Sequence, residues 1–408
     1  MNGTTTASAL DRSLPLCFLL LLTGPVAAQT NDTNEVAERI RQVEHGLHGE
    51  GVDDSTFTIQ DRMRFYGVNG ISVAVIDDFQ IVWAKGYGYA DLGEQREMTS
   101  RTRFEPGSIS KSLNAVGILR LYQQGDVDLY ADINDYLSTW KFPYDSVSEG
   151  KPITSAQLLS HTAGVSIYGF PGYERGSALP SITDILNGTP PANTGAVRSQ
   201  TAPGPSSSYS GGGTLVLQQL LMDVSKLPYA QFMAQNVLGP LGMTQSFYDQ
   251  PPTPDQDHDL ATGYGSDGKE VPGKYYIYPE QAAAGLWTTP EDLAKYVLEM
   301  QLAVQGRSAR VLDQHMARLH LTPYGDEHAA LGTFVQTRNG ETYFFHDASN
   351  KGFLGLYMAG TSNGKGAVMF VNSDDGRILL ELLNSIAGAY GWKGFEAAGQ
   401  RMATPKDE

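Results

Sequence analysis

In Gly107-Ser108-Ile109-Ser110-Lys111 a serine hydroxyl stands three residues ahead of an amine, where an extended segment gives way to an apolar helix. A serine hydroxyl is a weak nucleophile until a base takes its proton, and a lysine can be that base if burial or a neighbouring cation lowers its pKa. Ser-x-x-Lys occurs five times, at Ser108, Ser138, Ser148, Ser266 and Ser362, so context selects among them. Ser138 and Ser148 run into Lys141-Phe142-Pro143 and Gly150-Lys151-Pro152, while Ser266 and Ser362 straddle the turn dipeptides Asp267-Gly268 and Asn363-Gly364. Only Ser108 opens a helix: Ile109, Leu113, Val116, Leu119 and Tyr122 recur at helical spacing and Gly125 ends the run. Residues three apart are neighbours on a helix surface, so the ammonium reaches the serine oxygen, and the free N–H groups of the first turn favour negative charge there.

The chain that must position these groups has 408 residues, 41% hydrophobic and 18% charged, with 45 glycines and 21 prolines. That is the composition of a globular protein rich in turns. A net charge of −16 with no basic run argues against a nucleic-acid or anionic-membrane partner. Arg12, an apolar run over 14–22 and the small residues Val26-Ala27-Ala28 predict a removable signal peptide over 1–28, hence a periplasmic or secreted protein without a stable membrane span. Cys17 is the only cysteine, so the mature chain needs no disulfide and has no thiol chemistry.

Residues 29–55 read as a charged helix (35–47) and a polar link, and 56–395 as the main domain, followed by a tail over 396–408. Apolar runs at 70–76 and 80–84 flank Asp77-Asp78-Phe79 and predict a β-hairpin. Helical periodicity follows at 214–224, 229–237 and 291–300, within a helical lobe over about 120–300. Short apolar runs return at 342–345, 353–358 and 367–371 before a closing helix at 377–390. Strands at both ends around a helical middle imply an α+β fold with one sheet assembled from both termini.

Further along lie Tyr209-Ser210-Gly211, at the end of a Pro/Ser/Gly loop, and His346-Asp347-Ala348, which opens a segment ending in Asn350-Lys351-Gly352-Phe353. With Ser108-x-x-Lys111, and with Ile153-Thr154-Ser155-Ala156-Gln157-Leu158-Leu159-Ser160-His161-Thr162-Ala163-Gly164 and Pro240-Leu241-Gly242-Met243 as connecting segments, the chain resembles the serine β-lactamase and penicillin-binding protein superfamily. The likeness runs from about 68 to 392 and is to the class C-like branch of serine hydrolases and esterases. It implies an antiparallel sheet of five or more strands, helices on both faces, an inserted helical lobe, and an active site between them. It further implies that Tyr209 shares the proton transfers of Ser108 and Lys111. By the same match His346 lines the cleft, and the N–H of Ser349 joins that of Ser108 in an oxyanion hole. A free phenol titrates near 10, so Tyr209 needs a neighbouring cation such as Lys111 to act as a base. Two positions depart from the family pattern. Gly211 stands where an amide-holding asparagine is usual, and His346 stands where a lysine can grip a substrate carboxylate.

Gly360-Thr361-Ser362-Asn363-Gly364 fits a nucleophile elbow, but it links two short strands with no histidine after it, so it reads as a hairpin turn. The histidines form no His-Glu-x-x-His pattern, and no metal or cofactor is implied. The resulting expectation is an exported serine hydrolase that forms an acyl-enzyme on short esters or small amides, including D-amino acid peptides and β-lactams. Lys111 and Tyr209 both remain open as the principal base. A dedicated β-lactamase or D-alanyl-D-alanine carboxypeptidase is the nearest alternative, and a non-catalytic protein that binds peptidoglycan or a protein partner is the alternative of another class.

Overall fold

The computed structural model describes residues 1–3, 27–49, 55–204 and 206–395. Cys17, most of the expected signal segment and the tail 396–408 lie outside the described residues. No helix among the described residues is long and apolar enough to cross a membrane.

Helix α1 (Ala27–His45) and α2 (Ile59–Tyr66) precede the hairpin β1 (Gly70–Asp77) and β2 (Gln80–Asp91), which β3 (Arg96–Glu97) extends. The helical lobe contains α3 (Ser110–Gln124), α4 (Gly211–Ser225), the short α5 (Gln281–Ala284) and α6 (Pro290–Val304). The chain then returns through β4 (Phe334–Arg338), β5 (Glu341–Asn350), β6 (Phe353–Gly360) and β7 (Gly366–Val371), and α7 (Arg377–Ala389) follows. All seven strands form one antiparallel sheet in the order β3-β2-β1-β7-β6-β5-β4. The N-terminal hairpin meets the C-terminal meander where β1 pairs with β7, with Ala74 opposite Val368. The sheet is thus built from both ends of the chain, as the distribution of apolar runs implies.

Successive strand residues point to opposite faces, and that period sorts the two cores. Ile71, Val73 and Val75 of β1, with Met369 and Val371 of β7, face a layer containing Val43 of α1, Ile59 and Met63 of α2, and Ile378, Leu382 and Ile386 of α7. Ala74, Ile76, Val368 and Phe370 face the lobe, where Leu113, Val116 and Leu119 of α3 are fully buried. The leading helix does not stand apart on a link. It packs on α7, and the strand pair Leu47–His48 with Thr56–Phe57 closes the connection to α2. The helix ends at His45 because Leu47 turns into that pair and into the core.

One ion pair fastens the outer layer. Arg62 donates from Nε and Nη2 to the two carboxylate oxygens of Glu381, each at 2.6 Å, and the Tyr66 hydroxyl donates to one of them at 2.6 Å. Both charged side chains are buried, so removing one partner strands the other charge out of water. Glu381→Ala is expected to lower stability by about 3–5 kcal/mol in urea unfolding, and a loss under about 1 kcal/mol would show that the pair is dispensable.

Candidate active site

Ser108 lies in the single 3₁₀ turn Gly107–Ile109 that feeds α3, and Lys111 lies in the first helical turn after it. The Lys111 amine donates to Ser108 Oγ at 2.9 Å and to the Ala283 carbonyl of α5 at 2.9 Å. Only 4% of Lys111 is exposed, and burial pushes its pKa down to about 7. Much of the amine is therefore neutral at neutral pH, with a lone pair next to a hydroxyl. The turn is locked from both sides. Ser110 Oγ donates to the Gly107 carbonyl at 2.6 Å and accepts the Leu286 N–H at 3.1 Å, while the Ser110 carbonyl accepts from the Tyr248 hydroxyl at 3.0 Å.

The opposite wall is β5, and here the sequence reading needs correction. Strand signal ends at Phe345 because the following residues are polar, yet the strand continues to Asn350. His346 and Ser349 therefore belong to a sheet edge, not to a loop after a strand. Phe344, His346, Ala348 and Asn350 are the buried residues of the alternation, and Phe344 and Ala348 belong to the lobe-side core. Asn350 pairs with Phe353 across the two-residue turn Lys351-Gly352, so Ser349 and Leu354 form the next, non-hydrogen-bonded pair. The N–H and C=O of Ser349 thus point away from β6. On that side β4 pairs only with 341–345, which leaves the edge open to the Ser108 turn. Gly107, at φ +54°, fits against this edge. A Cβ there would stand 2.6 Å from the Ser349 carbonyl oxygen, so a side chain would force the nucleophile turn off the strand. Asn350 Nδ2 donates to the Ala284 carbonyl at 2.9 Å, so α5 anchors both Lys111 and the end of β5.

Tyr209 enters from the residue before the cap of α4. Ser210 caps that helix by accepting the Gly213 N–H at 2.8 Å, and its hydroxyl donates to the Ser166 carbonyl at 2.9 Å. The Tyr209 ring lies 5.0 Å from Lys111 Nζ, and Ser108 is near enough to its hydroxyl to favour the phenolate. Burial raises the Tyr209 pKa, and Ser108 offsets this only in part, so the phenol stays protonated. The expectation that Lys111 would bring this phenol into titration range is not met, because burial dominates its titration.

His161 packs on Tyr209 with ring centroids 4.4 Å apart, and its Nδ1 accepts the Ser210 N–H at 3.2 Å. Burial, with Lys111 and His346 adding to it, brings the His161 pKa down to about 3. His161 and Ile167 hold left-handed φ of 61° and 68°, a conformation that costs non-glycine residues about 1–3 kcal/mol each and tends to gather at functional sites. The reason for Gly211 lies in the same segment. Gly211 and Gly212 donate their N–H groups to the Tyr168 and Ile167 carbonyls, at 3.0 and 2.9 Å. A Cβ on Gly211 would meet Tyr168 O at 3.0 Å and the Phe170 ring at 3.1 Å. The space an asparagine side chain would need is filled by residues 168–170.

His346 is 2% exposed, and burial pushes its pKa to about 4, opposed by the Asp347 carboxylate and reinforced by Lys111. Its ring lies 6.3 Å from that of Tyr209 and 5.4 Å from Phe334. The fold thus gathers Ser108, Lys111, Tyr209 and His346 around one cleft, with Ser349 against the Ser108 turn, while Gly211 packs on residues 168–170 beside Tyr209. Sequence reasoning overlooked Phe334, Tyr168 and the Ala283 and Ala284 carbonyls. The two carbonyls leave no side-chain signal at all, and the two aromatics read as ordinary packing residues.

The Beta-lactamase family model matches residues 58–387. Protein flp of Staphylococcus aureus (strain N315) is 26% identical over 325 residues, which cover 78% of this chain and 63% of that relative. The chain therefore spans less than two thirds of the length of the curated relatives it matches first. Among solved structures, the octameric penicillin-binding protein homologue from Pyrococcus abyssi superposes with a TM-score of 0.67 at 24% identity, over 83% of this chain and 77% of that one. The penicillin binding protein from Bacillus halodurans gives 0.65 at 20% identity, over 81% and 98%. Both share the fold. A family match that starts in α2, ends in α7 and encloses the Ser108, Lys111, Tyr209 and His346 cleft makes this chain a member of the Beta-lactamase family.

Proposed function

We propose that this chain is an exported serine hydrolase of the class C-like, esterase-type branch, acting by acyl transfer on short esters or small amides. The observation that carries the reading is the 2.9 Å contact between a buried Lys111 amine, whose pKa burial lowers to about 7, and Ser108 Oγ. Lys111 takes the Ser108 proton as Oγ attacks the substrate carbonyl, and the carbonyl oxygen becomes an oxyanion held by the N–H groups of Ser108 and Ser349. The proton then passes through the Tyr209 hydroxyl to the leaving oxygen or nitrogen, the C–O or C–N bond breaks, and the acyl group stays on Ser108. Water attacks that ester with Lys111 again as base, releasing the acid and restoring the serine. In this scheme Lys111 is the principal base and Tyr209 a proton relay, because burial moves the lysine pKa toward the working pH and the tyrosine pKa away from it.

Two departures support esters over β-lactams. Gly211 offers no side-chain amide to a substrate amide, and a neutral His346 offers no fixed charge to a carboxylate. The serine, lysine and tyrosine set equally favours turnover over a purely binding role on peptidoglycan.

On the purified protein, a fluorophosphonate probe is expected to add to Ser108, read by intact mass and peptide mapping, and Ser108→Ala should abolish both labelling and turnover of a nitrophenyl butyrate. The specificity constant for a butyrate ester should exceed that for a chromogenic cephalosporin. A cephalosporin constant tenfold above the ester's would restore a dedicated β-lactamase, and a label on Ser362 would displace the nucleophile.

Lys111→Ala and Tyr209→Phe should each cost about a hundredfold or more in turnover, and the double variant should lose little beyond the worse single one, since both serve one relay. Because the neutral amine is the active form, kcat/KM should rise with pH through about 7 and level off above it. A flat profile between pH 5.5 and 8.5 would remove Lys111 as the base.

A further inference from the structure

One polar atom in the cleft has no partner. His346 Nδ1 is bonded to the Asp347 carbonyl at 2.5 Å, and a carbonyl only accepts, so Nδ1 carries the proton. Nε2 of the neutral ring is then an acceptor, and among the described residues it is buried with no hydrogen-bond partner. A buried acceptor without a donor is costly, so a ligand that supplies the donor recovers that cost on binding. The surroundings fix which ligands qualify. Lys111 stands on α3, Tyr209 and His161 on the lobe segments, Phe334 on β4, and the exposed Asp347 carboxylate beside His346 on β5. Charging His346 would set an imidazolium near Lys111 in a buried site, and Asp347 repels an incoming anion. Tyr209, which in the proposed mechanism returns the proton to the leaving group, has its ring 6.3 Å from that of His346, so a leaving group that meets the Tyr209 hydroxyl comes within reach of His346.

We propose that His346 is a specificity-determining residue whose unpartnered Nε2 accepts a hydrogen bond from a hydroxyl or N–H on the leaving group, so that the site prefers uncharged, donor-bearing esters to carboxylate-bearing ones. This inference rests on the hydrolase reading and narrows it to a substrate class: esters of diols and polyols. Recognition by a buried polar atom discriminates strongly, because the analogue that lacks the donor leaves that atom unpaired.

The test uses the full-length chain and three butyrate esters of matched size: 2-hydroxyethyl, propyl and carboxymethyl. The readout is the ratio of specificity constants within each variant, and fluorophosphonate labelling of Ser108 confirms that each variant is folded and competent. Wild type should favour the hydroxyethyl ester over both others by about tenfold, the equivalent of one good buried hydrogen bond. His346→Phe should bring the hydroxyethyl to propyl ratio to about one. His346→Gln, whose amide oxygen still accepts, should retain part of the preference, and His346→Lys should move preference to the carboxymethyl ester. A wild-type ratio near one, a carboxymethyl preference in wild type, or an unchanged ratio in His346→Phe would overturn the assignment while leaving the hydrolase intact. No turnover of any ester together with no label on Ser108 would overturn both.

Discussion

A lysine amine taken out of water is the constraint on which the rest of the cleft depends. An ammonium at the Lys111 position would lose most of its hydration, and the enclosure offers it no carboxylate in return, so the neutral form gains. Its two contacts, the Ser108 hydroxyl and the Ala283 carbonyl, hold the amine in place without fixing a charge on it. This state requires α3 to run through the middle of the lobe, where Leu113, Val116 and Leu119 are fully buried. An amphipathic surface helix with the same Ser-x-x-Lys spacing would present a solvated ammonium near its usual pKa and no base at all. The depth of the helix turns a common sequence pattern into chemistry.

The sheet supplies the other half by leaving something unpaired. An open strand edge is ordinarily a liability, because its N–H and C=O groups invite another chain. Here β4 ends opposite Phe345, and the overhang of β5 is met by the turn at Gly107 and by the Asn350 bond to the Ala284 carbonyl. The overhang keeps backbone donors beside Ser108, and a short strap on α5 holds both walls at a fixed separation. Neither wall can shift without breaking a bond that the other depends on.

The sequence reveals those parts of the fold that rest on local periodicity: the β1–β2 hairpin, the helices α3, α4, α6 and α7, and a sheet made from both termini. Ser108 and Lys111 are legible because three residues on a helix fix a distance. His346 and Ser349 are legible as positions but not as strand, since the alternation at 346–350 is of polar residues and hydrophobic patterning is blind to it. The two-residue hairpin that orients the Ser349 N–H becomes readable only once the register Asn350 opposite Phe353 is known. Gly211 is visible as a departure, but its cause is a segment some forty residues earlier. The role of His161 depends on a contact across 49 positions, made through a ring nitrogen whose partner is a backbone N–H.

That distant segment also explains why the two departures from the family pattern belong together. Residues 166–170 are tied to the first turn of α4 by bonds to the Ser166, Ile167 and Tyr168 carbonyls, and they carry the half-strained backbone of Ile167. With the segment docked, a Cβ at 211 presses on the Tyr168 carbonyl and the Phe170 ring, and the exposed Tyr168 ring is brought to 5.0 Å from Tyr209. Phe334 completes an aromatic rim across the cleft, stacked 6.3 Å from Tyr209. A rim of rings offers area and shape but few donors, so the polar groups of the cleft lie below it, on Ser108, Lys111 and His346. Placing an asparagine back at 211 would not by itself recreate an amide-binding site, because its Cβ presses on residues 168–170, and shifting that segment would disturb the Ser210 bond to the Ser166 carbonyl next to Tyr209.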